Sequence, residues 1–433
     1  MFENLFPVVE KTSVIQKQGR VRQVVGQVVE ATGPRSSVGQ TCIIKSSETN
    51  KNMIAEVVGF RDDQILLIPY EEVSGISPGD IVTKNSHSTM IPVGPELLGR
   101  VLDGLGRPID GKGPIHGKKM QPIHNTPPDP LDRRRITQPL FTGIRAIDTL
   151  LTCGKGQRVG IFAGSGVGKS VLLGMVARKT SADVNVIALI GERGREVRDF
   201  IEKDLGEEGL KKSIVVAVTS DQAPLIRIKG GLIATAIAEY FRGKGNDVML
   251  MMDSVTRIAM AQREIGLAVG ELPAAKGYTP SVFGMLPKLL ERAGSDEAGS
   301  ITGMYTVLVE GDDMNEPVAD MVRSILDGHV VLSRKLAALN QYPAIDVLQS
   351  ISRVMIDVVD DEHHELASKI IEVLASYEEA EDLINIGAYV KGSNPRIDRA
   401  ISLIDQIRDF LKQGIKEEVS FENSIQRMRE ILG

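Results

Sequence analysis

Ala163-Gly164-Ser165-Gly166-Val167-Gly168-Lys169-Ser170 lies between a run that alternates like a strand, Gln157 to Phe162, and a run that repeats like a helix, Lys169 to Lys179. Glycines at 164, 166 and 168 let the chain turn tightly, so that its backbone N–H groups converge. A helix beginning at once after the turn adds its unpaired amides and the positive end of its dipole. Lys169 can reach the β- and γ-phosphates of a nucleotide, and the Ser170 hydroxyl can ligate Mg²⁺. The stretch therefore reads as a phosphate-binding loop, although its first position is Ala where the strict pattern has Gly. Val171, Leu172, Met175 and Val176 fall on one face of the helix that follows. Gly164 through Ser170, with Val171 behind them, form the expected nucleotide-binding set.

The chain has 433 residues, room for two or three domains with full cores. At 42% hydrophobic and 25% charged it has an ordinary globular composition. It contains no apolar run of about 18 residues, so no membrane-spanning helix is expected. Met1 to Pro7 lacks a basic segment and a cleavage site, so no secretory signal is expected either. Cys42 and Cys153 are too few and too far apart for a disulfide framework, which fits a cytoplasmic location. The net charge of −6 argues against a nucleic-acid partner, which usually demands a basic face.

Residues 1–19 form a leader in which Phe2, Leu5, Phe6 and Val9 could share a helix face, bent or delayed by Pro7; a frayed terminus fits as well. Over 20–92, short alternating runs (Val21 to Val29, Thr41 to Lys45, Met53 to Phe60, Ile65 to Ile68, Ile81 to Lys84) are broken by Gly33-Pro34, Gly39, Asp62-Asp63 and Pro78-Gly79. Five or six such strands predict a small closed barrel. The segment 93–345 opens with a Gly- and Pro-rich stretch and continues as strand, loop, helix, repeated. Val159 to Phe162, Val184 to Ile190, Ile214 to Val218, Val248 to Met252, Tyr305 to Val309 and Val330 to Leu332 are nearly continuous apolar runs. A parallel sheet covered on both faces needs such strands. Residues 346–433 read as a C-terminal domain, helical over 355–433: Ile397, Ala400, Ile401, Ile404, Ile407 and Leu411 keep a helix period up to Gly414, a plausible C-terminal stop. Ser420 could cap a last helix carrying Phe421, Ile425, Met428 and Leu432.

Around the loop, three groups are candidates for chemistry. The run Val248 to Met252 ends in Asp253, where a carboxylate can hold a Mg²⁺-bound water; many buried strands also end in Asp merely to cap a turn. Ile187 to Ile190 leads into Gly191-Glu192-Arg193. Glu192 can orient and polarise a water, and the Arg193 fork suits the γ-phosphate. The same spacing equally describes a solvated surface pair. Arg353, in Ser350-Ile351-Ser352-Arg353, is by composition one arginine among many. His363-His364, beside Asp360-Asp361-Glu362, point apart on a helix and read as a solvated helix start rather than a metal site.

Taken in order, several segments resemble the ring ATPases related to the catalytic subunit of rotary ATP synthases. They are Pro92 to Val101, Gly106-Arg107-Pro108-Ile109-Asp110, Gly191-Glu192-Arg193, Gly277-Tyr278-Thr279-Pro280, and Tyr342-Pro343-Ala344-Ile345-Asp346 with Ser352-Arg353. Phe141 to Asp148, Gly160 to Ser170 and Pro287 to Gly294 look like the flagellar and type III secretion export ATPases, whose phosphate loop opens with Ala. The resemblance spans about residues 20–430. It implies a small N-terminal β-barrel, a RecA-like α/β core and a helical C-terminal domain, assembled as a homohexamer.

The resemblance also implies residue roles. Lys169 would act on phosphate, Ser170 on Mg²⁺, and Glu192 as catalytic base. Tyr342 would pack on the adenine, and Arg353 would be an arginine finger reaching a neighbour's γ-phosphate. A finger supplied in trans contributes roughly 10³–10⁵ in rate, so an isolated monomer should hydrolyse ATP poorly. Other implied partners are a regulatory protein at the leader, a central stalk protein, an export gate at the membrane's cytoplasmic face, and export substrates with their chaperones. The stretch Gly387 to Pro395 lacks the acidic character of the rotary stalk contact, so that contact does not transfer residue by residue. The competing readings are a virulence secretion ATPase, the catalytic subunit of a rotary ATPase, a nucleic-acid translocase and a non-catalytic nucleotide-binding subunit. For the translocase, the barrel region offers only Phe60 and Tyr70 as stacking aromatics.

Overall fold

The computed structural model describes residues 17–85, 90–117, 119–309, 311 and 313–433. Most of the leader, with the apolar face expected of it, lies outside the described residues. One compact unit takes the chain up to Met90 with residues 222–226 and 261–280, and a second takes the rest.

Six strands close a barrel in the first unit: β1 (Gln18–Val25), β2 (Val28–Ala31), β3 (Thr41–Lys45), β4 (Asn52–Arg61), β5 (Gln64–Pro69) and β6 (Ile81–Lys84), in the order β1-β2-β5-β4-β3-β6. The period-2 pattern explains this: Val21, Val29, Ala31, Cys42, Ile44, Ala55, Val57, Leu67 and Val82 fill the interior. The run Val21 to Val29, read as one strand, is a hairpin in which Val25 faces Val28 across a turn at Gly26. Tyr70 is buried and donates to Glu56 at 2.7 Å, so it offers no face for stacking.

Further along come β7 (Met90–Val93), β8 (Val101–Leu102), β9 (Lys119–Pro122), β10 (Pro139–Leu140), β11 (Cys153–Gly154), β12 (Arg158–Ala163), β13 (Val184–Glu192), β14 (Ser213–Thr219), β15 (Asp247–Asp253), β16 (Gly294–Ser295), β17 (Ser300–Leu308), β18 (Gly328–Leu332) and β19 (Ile345–Ser352). Nine of them, among the described residues, form the main sheet in the order β19-β18-β12-β17-β15-β13-β14-β8, with β16 beside β17. The six apolar runs are its parallel centre, buried at almost every position, as strands covered on both faces must be. β19 is antiparallel to β18; Ile345 and Val347 are buried, and the strand becomes exposed toward Gln349 and Ile351. Its polar Gln349, Ser350 and Ser352 hid it from an apolar-run reading.

Three helices follow: Asp361–Asn385, Pro395–Leu411 and Phe421–Leu432. Their inward residues, among them Ile370, Ile407, Phe410 and Met428, share one apolar cluster with Val159, Ile161, Leu173 and Val176 of the sheet and its first helix. Ser420 caps the last helix, accepting from the Asn423 amide at 3.2 Å. Two expectations need correction. The helix expected to run to Gly414 ends at Leu411, where Lys412 turns extended (φ −75°, ψ 136°). Arg145 takes up the Phe410 and Lys412 carbonyls, so no left-handed glycine stop is needed. His363 does sit at a helix start, capped by Asp360 at 2.8 Å, but it is buried rather than solvated. Its Nε2 lies 2.7 Å from the Thr149 carbonyl and its ring meets Phe421 edge-on at 5.3 Å. No helix among the described residues is long and apolar enough to cross a membrane.

Candidate nucleotide site

β12 feeds directly into the glycine turn, and the helix Lys169–Lys179 leaves it. Gly168 has φ +89°, a left-handed conformation that favours glycine, and a Cβ there would touch the Tyr342 ring at 3.4 Å. The sheet order then sets the chemistry. β15 stands beyond β17 from β12, and β13 stands next to β15, so Asp253 and Glu192 emerge at the same carboxyl edge as the turn. Lys169 extends into this corner. Its ammonium pairs with Asp253 and lies 3.4 Å from Glu192. Thr306, on the intervening β17, donates to Asp253 Oδ1 at 2.7 Å and fixes that carboxylate from behind.

The three charges in this corner act on one another. Burial works against the Lys169 ammonium, but Asp253 and then Glu192 more than offset it, and its pKa is raised. Burial also dominates at Glu192. Lys169 opposes it, Asp253 and Glu196 add to it, and the Glu192 carboxyl is pushed up to about 7. Glu196, one turn further on, is held low by its hydrogen bond with Glu192 and by the Arg193 amide. A carboxyl poised near neutrality beside a phosphate loop can take a proton from water at working pH.

The other face of the turn is apolar. Gly166, Val167, Gly168, Val171, Leu172, Met175, Leu332, Tyr342, Pro343, Ala344, Gln413, Gly414 and Ile415 line a cleft of about 430 Å³. Tyr342 is half-exposed with its ring over Gly168. A flat, apolar slot beside a phosphate cradle suits a nucleobase.

Thus the structure brings together Lys169, Glu192 and Asp253, and, on the other side of the turn, Gly166, Val167, Gly168, Val171 and Tyr342. Ser165 and Ser170 are exposed on the loop and first helical turn. It does not bring in Arg193, whose side chain is 82% exposed and sits 3.3 Å from Glu196. Nor does it bring in Arg353, which is exposed after β19 and donates its amide to Asp327 at 3.0 Å. Sequence reasoning missed two features. Arg257 packs on the backbone just before Glu192: a Cβ on Gly191 (φ +75°) would lie 2.9 Å from it, and its buried Nε has no hydrogen-bond partner among the described residues. The signal was its position, one helical turn past Asp253. Gln413 and Ile415 reach the cleft from beyond the long helix, and no local pattern announces this.

Asp253 and the exposed Ser170 hydroxyl fit a hard cation shared with phosphate oxygens, because Lys169 alone opposes the two carboxylates of this corner. No cluster of three His, Cys, Asp or Glu able to hold a metal by itself occurs among the described residues. Such a composition suits Mg²⁺, which keeps waters and takes few protein ligands.

A glycine turn at the edge of a parallel sheet, a buried lysine between two carboxylates and an aromatic-capped slot define a RecA-like nucleoside-triphosphate hydrolase, here with a barrel before it and helices after it. Three family models match the chain: the ATP synthase alpha/beta family nucleotide-binding domain over residues 143–352, that family's beta-barrel domain over 21–84, and the T3SS EscN ATPase C-terminal domain over 359–430. The flagellum-specific ATP synthase of Bacillus subtilis (strain 168) is 55% identical over 434 residues, covering 100% of this chain and 99% of the relative. The assembled ATPase EscN of the enteropathogenic E. coli type III secretion system superposes with a TM-score of 0.91 at 46% identity, covering 96% of this chain and all of that one. EscN in complex with its central stalk EscO gives a TM-score of 0.88 at 45% identity with the same coverage. The chain belongs to the ATP synthase alpha/beta family, in its branch of flagellar and type III secretion ATPases, and is an ATP-hydrolysing enzyme of that branch.

Proposed function

We propose that this chain powers protein export at a flagellar type III apparatus, hydrolysing ATP at the corner built by Lys169, Glu192 and Asp253. The observation that carries the catalytic part is the buried Lys169 ammonium clasped by two strand-end carboxylates beneath a glycine cradle. When ATP arrives, Lys169 exchanges its carboxylates for β- and γ-phosphate oxygens, and the loop amides Gly164 to Ser170 close round them. Freed of the ammonium, Glu192 orients the attacking water and takes its proton. Mg²⁺, held through Ser170 and a water on Asp253, would supply charge neutralisation between the phosphates. Tyr342 stacks on the base. Arg257, packed against Gly191 beside Glu192, and Arg193, once it leaves Glu196, are further cations of the same chain that this reading turns toward the γ-phosphate.

A ring of like subunits supports the remaining part of the reading. EscN is found assembled and with a central stalk, and Arg353 leaves β19 at the end of the sheet away from its own phosphate loop, which supports its use by another protomer. In this reading the protomers form a homohexamer peripheral to the membrane export gate. The leader takes a regulatory protein, the ring holds a stalk protein, and chaperoned substrates are delivered through it. A virulence secretion system is the second reading, favoured by the match to EscN.

The export role is tested in a flagellated host lacking its own export ATPase. The chain should restore secretion of hook and filament protein, and Lys169→Ala should not. Secretion undiminished by Lys169→Ala would remove this site from the process.

Two further outcomes are expected in vitro. A base must be ionised to act, and burial raises Glu192 to about 7, so kcat/KM should be level above neutrality and fall about tenfold per pH unit below it. A profile flat from pH 5.5 to 8 contradicts this. Tyr342→Ala should raise KM for ATP by about tenfold through lost stacking, with kcat little changed; steady-state kinetics read both.

A further inference from the structure

We propose that Arg145 and Glu417 are positioning residues for the nucleotide base: together they lock residues 412–417 into the wall of the cleft beside Tyr342, and so set ATP affinity without touching the phosphates. The proposal rests on the reading that this cleft takes the base.

Residues 412–417 leave the helix at Leu411 and carry Gln413, Gly414 and Ile415 to the cleft. Lacking helical bonds, their backbone groups need partners from elsewhere. Arg145 supplies several. It is 6% exposed; its Nη1 donates to the Phe410 and Lys412 carbonyls at 2.8 and 2.9 Å, and its Nη2 pairs with Glu417. Glu417 closes the loop on itself, accepting from the Gly414 amide at 2.9 Å. The two last residues of the phosphate-loop helix hold the segment from below: Arg178 donates to the Ile415 carbonyl at 3.3 Å, and Lys179 to the Glu417 carbonyl.

Gln413 transmits this order to the cleft. Its side chain accepts from the Arg145 amide at 2.8 Å and donates to the Gly143 carbonyl at 2.9 Å, while its own amide donates to the Tyr342 carbonyl at 2.9 Å. The wall and the stacking ring are thus tied by one residue. The anchor is itself rigid, because the buried Asp148 carboxylate accepts from the Thr142 amide and hydroxyl and from the Gly143 amide, at 2.7 to 2.8 Å. Neither Arg145 nor Glu417 lines the cleft. Lys179 and Lys169 are opposite ends of one helix, about 15 Å apart. Loosening the clamp should therefore disturb the base slot and leave the phosphate cradle as it is.

The test compares two probes, a fluorescent ATP analogue labelled on its ribose and inorganic tripolyphosphate, which has no base. With Glu417→Ala the analogue should bind about five- to tenfold more weakly, the loss of a charge-assisted contact. KM for ATP should rise in step, kcat should stay within about twofold, and tripolyphosphate binding should not move. Glu417→Gln, which keeps the acceptor for Gly414, should recover much of the loss. Arg145→Lys, which cannot reach both carbonyls and Glu417 at once, should resemble Glu417→Ala, and it serves should Arg145→Ala fail to fold. Equal weakening of both probes, or an unchanged analogue affinity, overturns the proposal. If Tyr342→Ala leaves analogue binding intact, the base lies elsewhere and the earlier reading fails instead.

Discussion

Glu192→Gln should bind ATP at least as tightly as the parent and turn it over about 10²–10⁴ times more slowly, the usual share of a positioned general base. Glutamine keeps the shape of the side chain and an oxygen that can accept from Lys169, which lies 3.4 Å away. What it lacks is basicity. It also removes one of the two negative charges holding Lys169, so the ammonium moves to phosphate at lower cost. Binding and turnover should thus separate, as they would not for a variant that merely damages the fold. The pH profile gives a second handle: the fall below neutrality belongs to Glu192 and should vanish in the glutamine variant, leaving a low and level rate. Glu192→Gln with near-parental turnover would move the base role to another group, and Glu196, which shares a hydrogen bond with Glu192, would be the next candidate.

Most of this site can be read along the chain because its parts are local. The glycine turn, the helix after it, and the carboxylates that end apolar runs are patterns of a few residues, and a parallel sheet brings strand ends together whatever lies between them. What could not be read is contact made across long separations. Tyr342 sits over Gly168, and Gln413 joins Tyr342 to Gly143, some 270 residues away. Neither spacing leaves a trace in periodicity. Arg193 shows the opposite limit. Its neighbourhood to Glu192 is plain in sequence, but β13 ends at Glu192 and Arg193 caps the next helix, Gly194–Asp199, where its guanidinium turns to Glu196 instead. His363 fell between these cases: its helix start was legible, and its burial against Thr149 was not.

Arg353→Ala should lower hydrolysis by roughly 10³–10⁵ in the assembled enzyme, the effect of an arginine finger, while nucleotide binding by each protomer stays intact. The reason lies in the direction of two strands. Leu332, at the carboxyl end of β18, is level with Ala163 at the mouth of the phosphate loop. β19 runs back antiparallel, pairing Ile345 with Leu332 and Ser352 with Gly328. Arg353 therefore starts from the far end of the sheet, about 13 Å down the strand from its own loop, exposed and with no ion-pair partner among the described residues. In the proposed ring it points away from the ATP its own chain holds, and the phosphate it meets is a neighbour's, across a head-to-tail interface. Mixing distinguishes this from simple damage. Arg353→Ala keeps Glu192, and Glu192→Gln keeps Arg353, so a site on the first that faces the second is complete. Random co-assembly in equal parts should complete about a quarter of the sites, recovering a comparable share of parental turnover from two nearly inactive proteins. If the two variants demonstrably co-assemble and no ratio of them recovers activity, the site is not shared between protomers, and Arg353 must act within the subunit or only hold its fold.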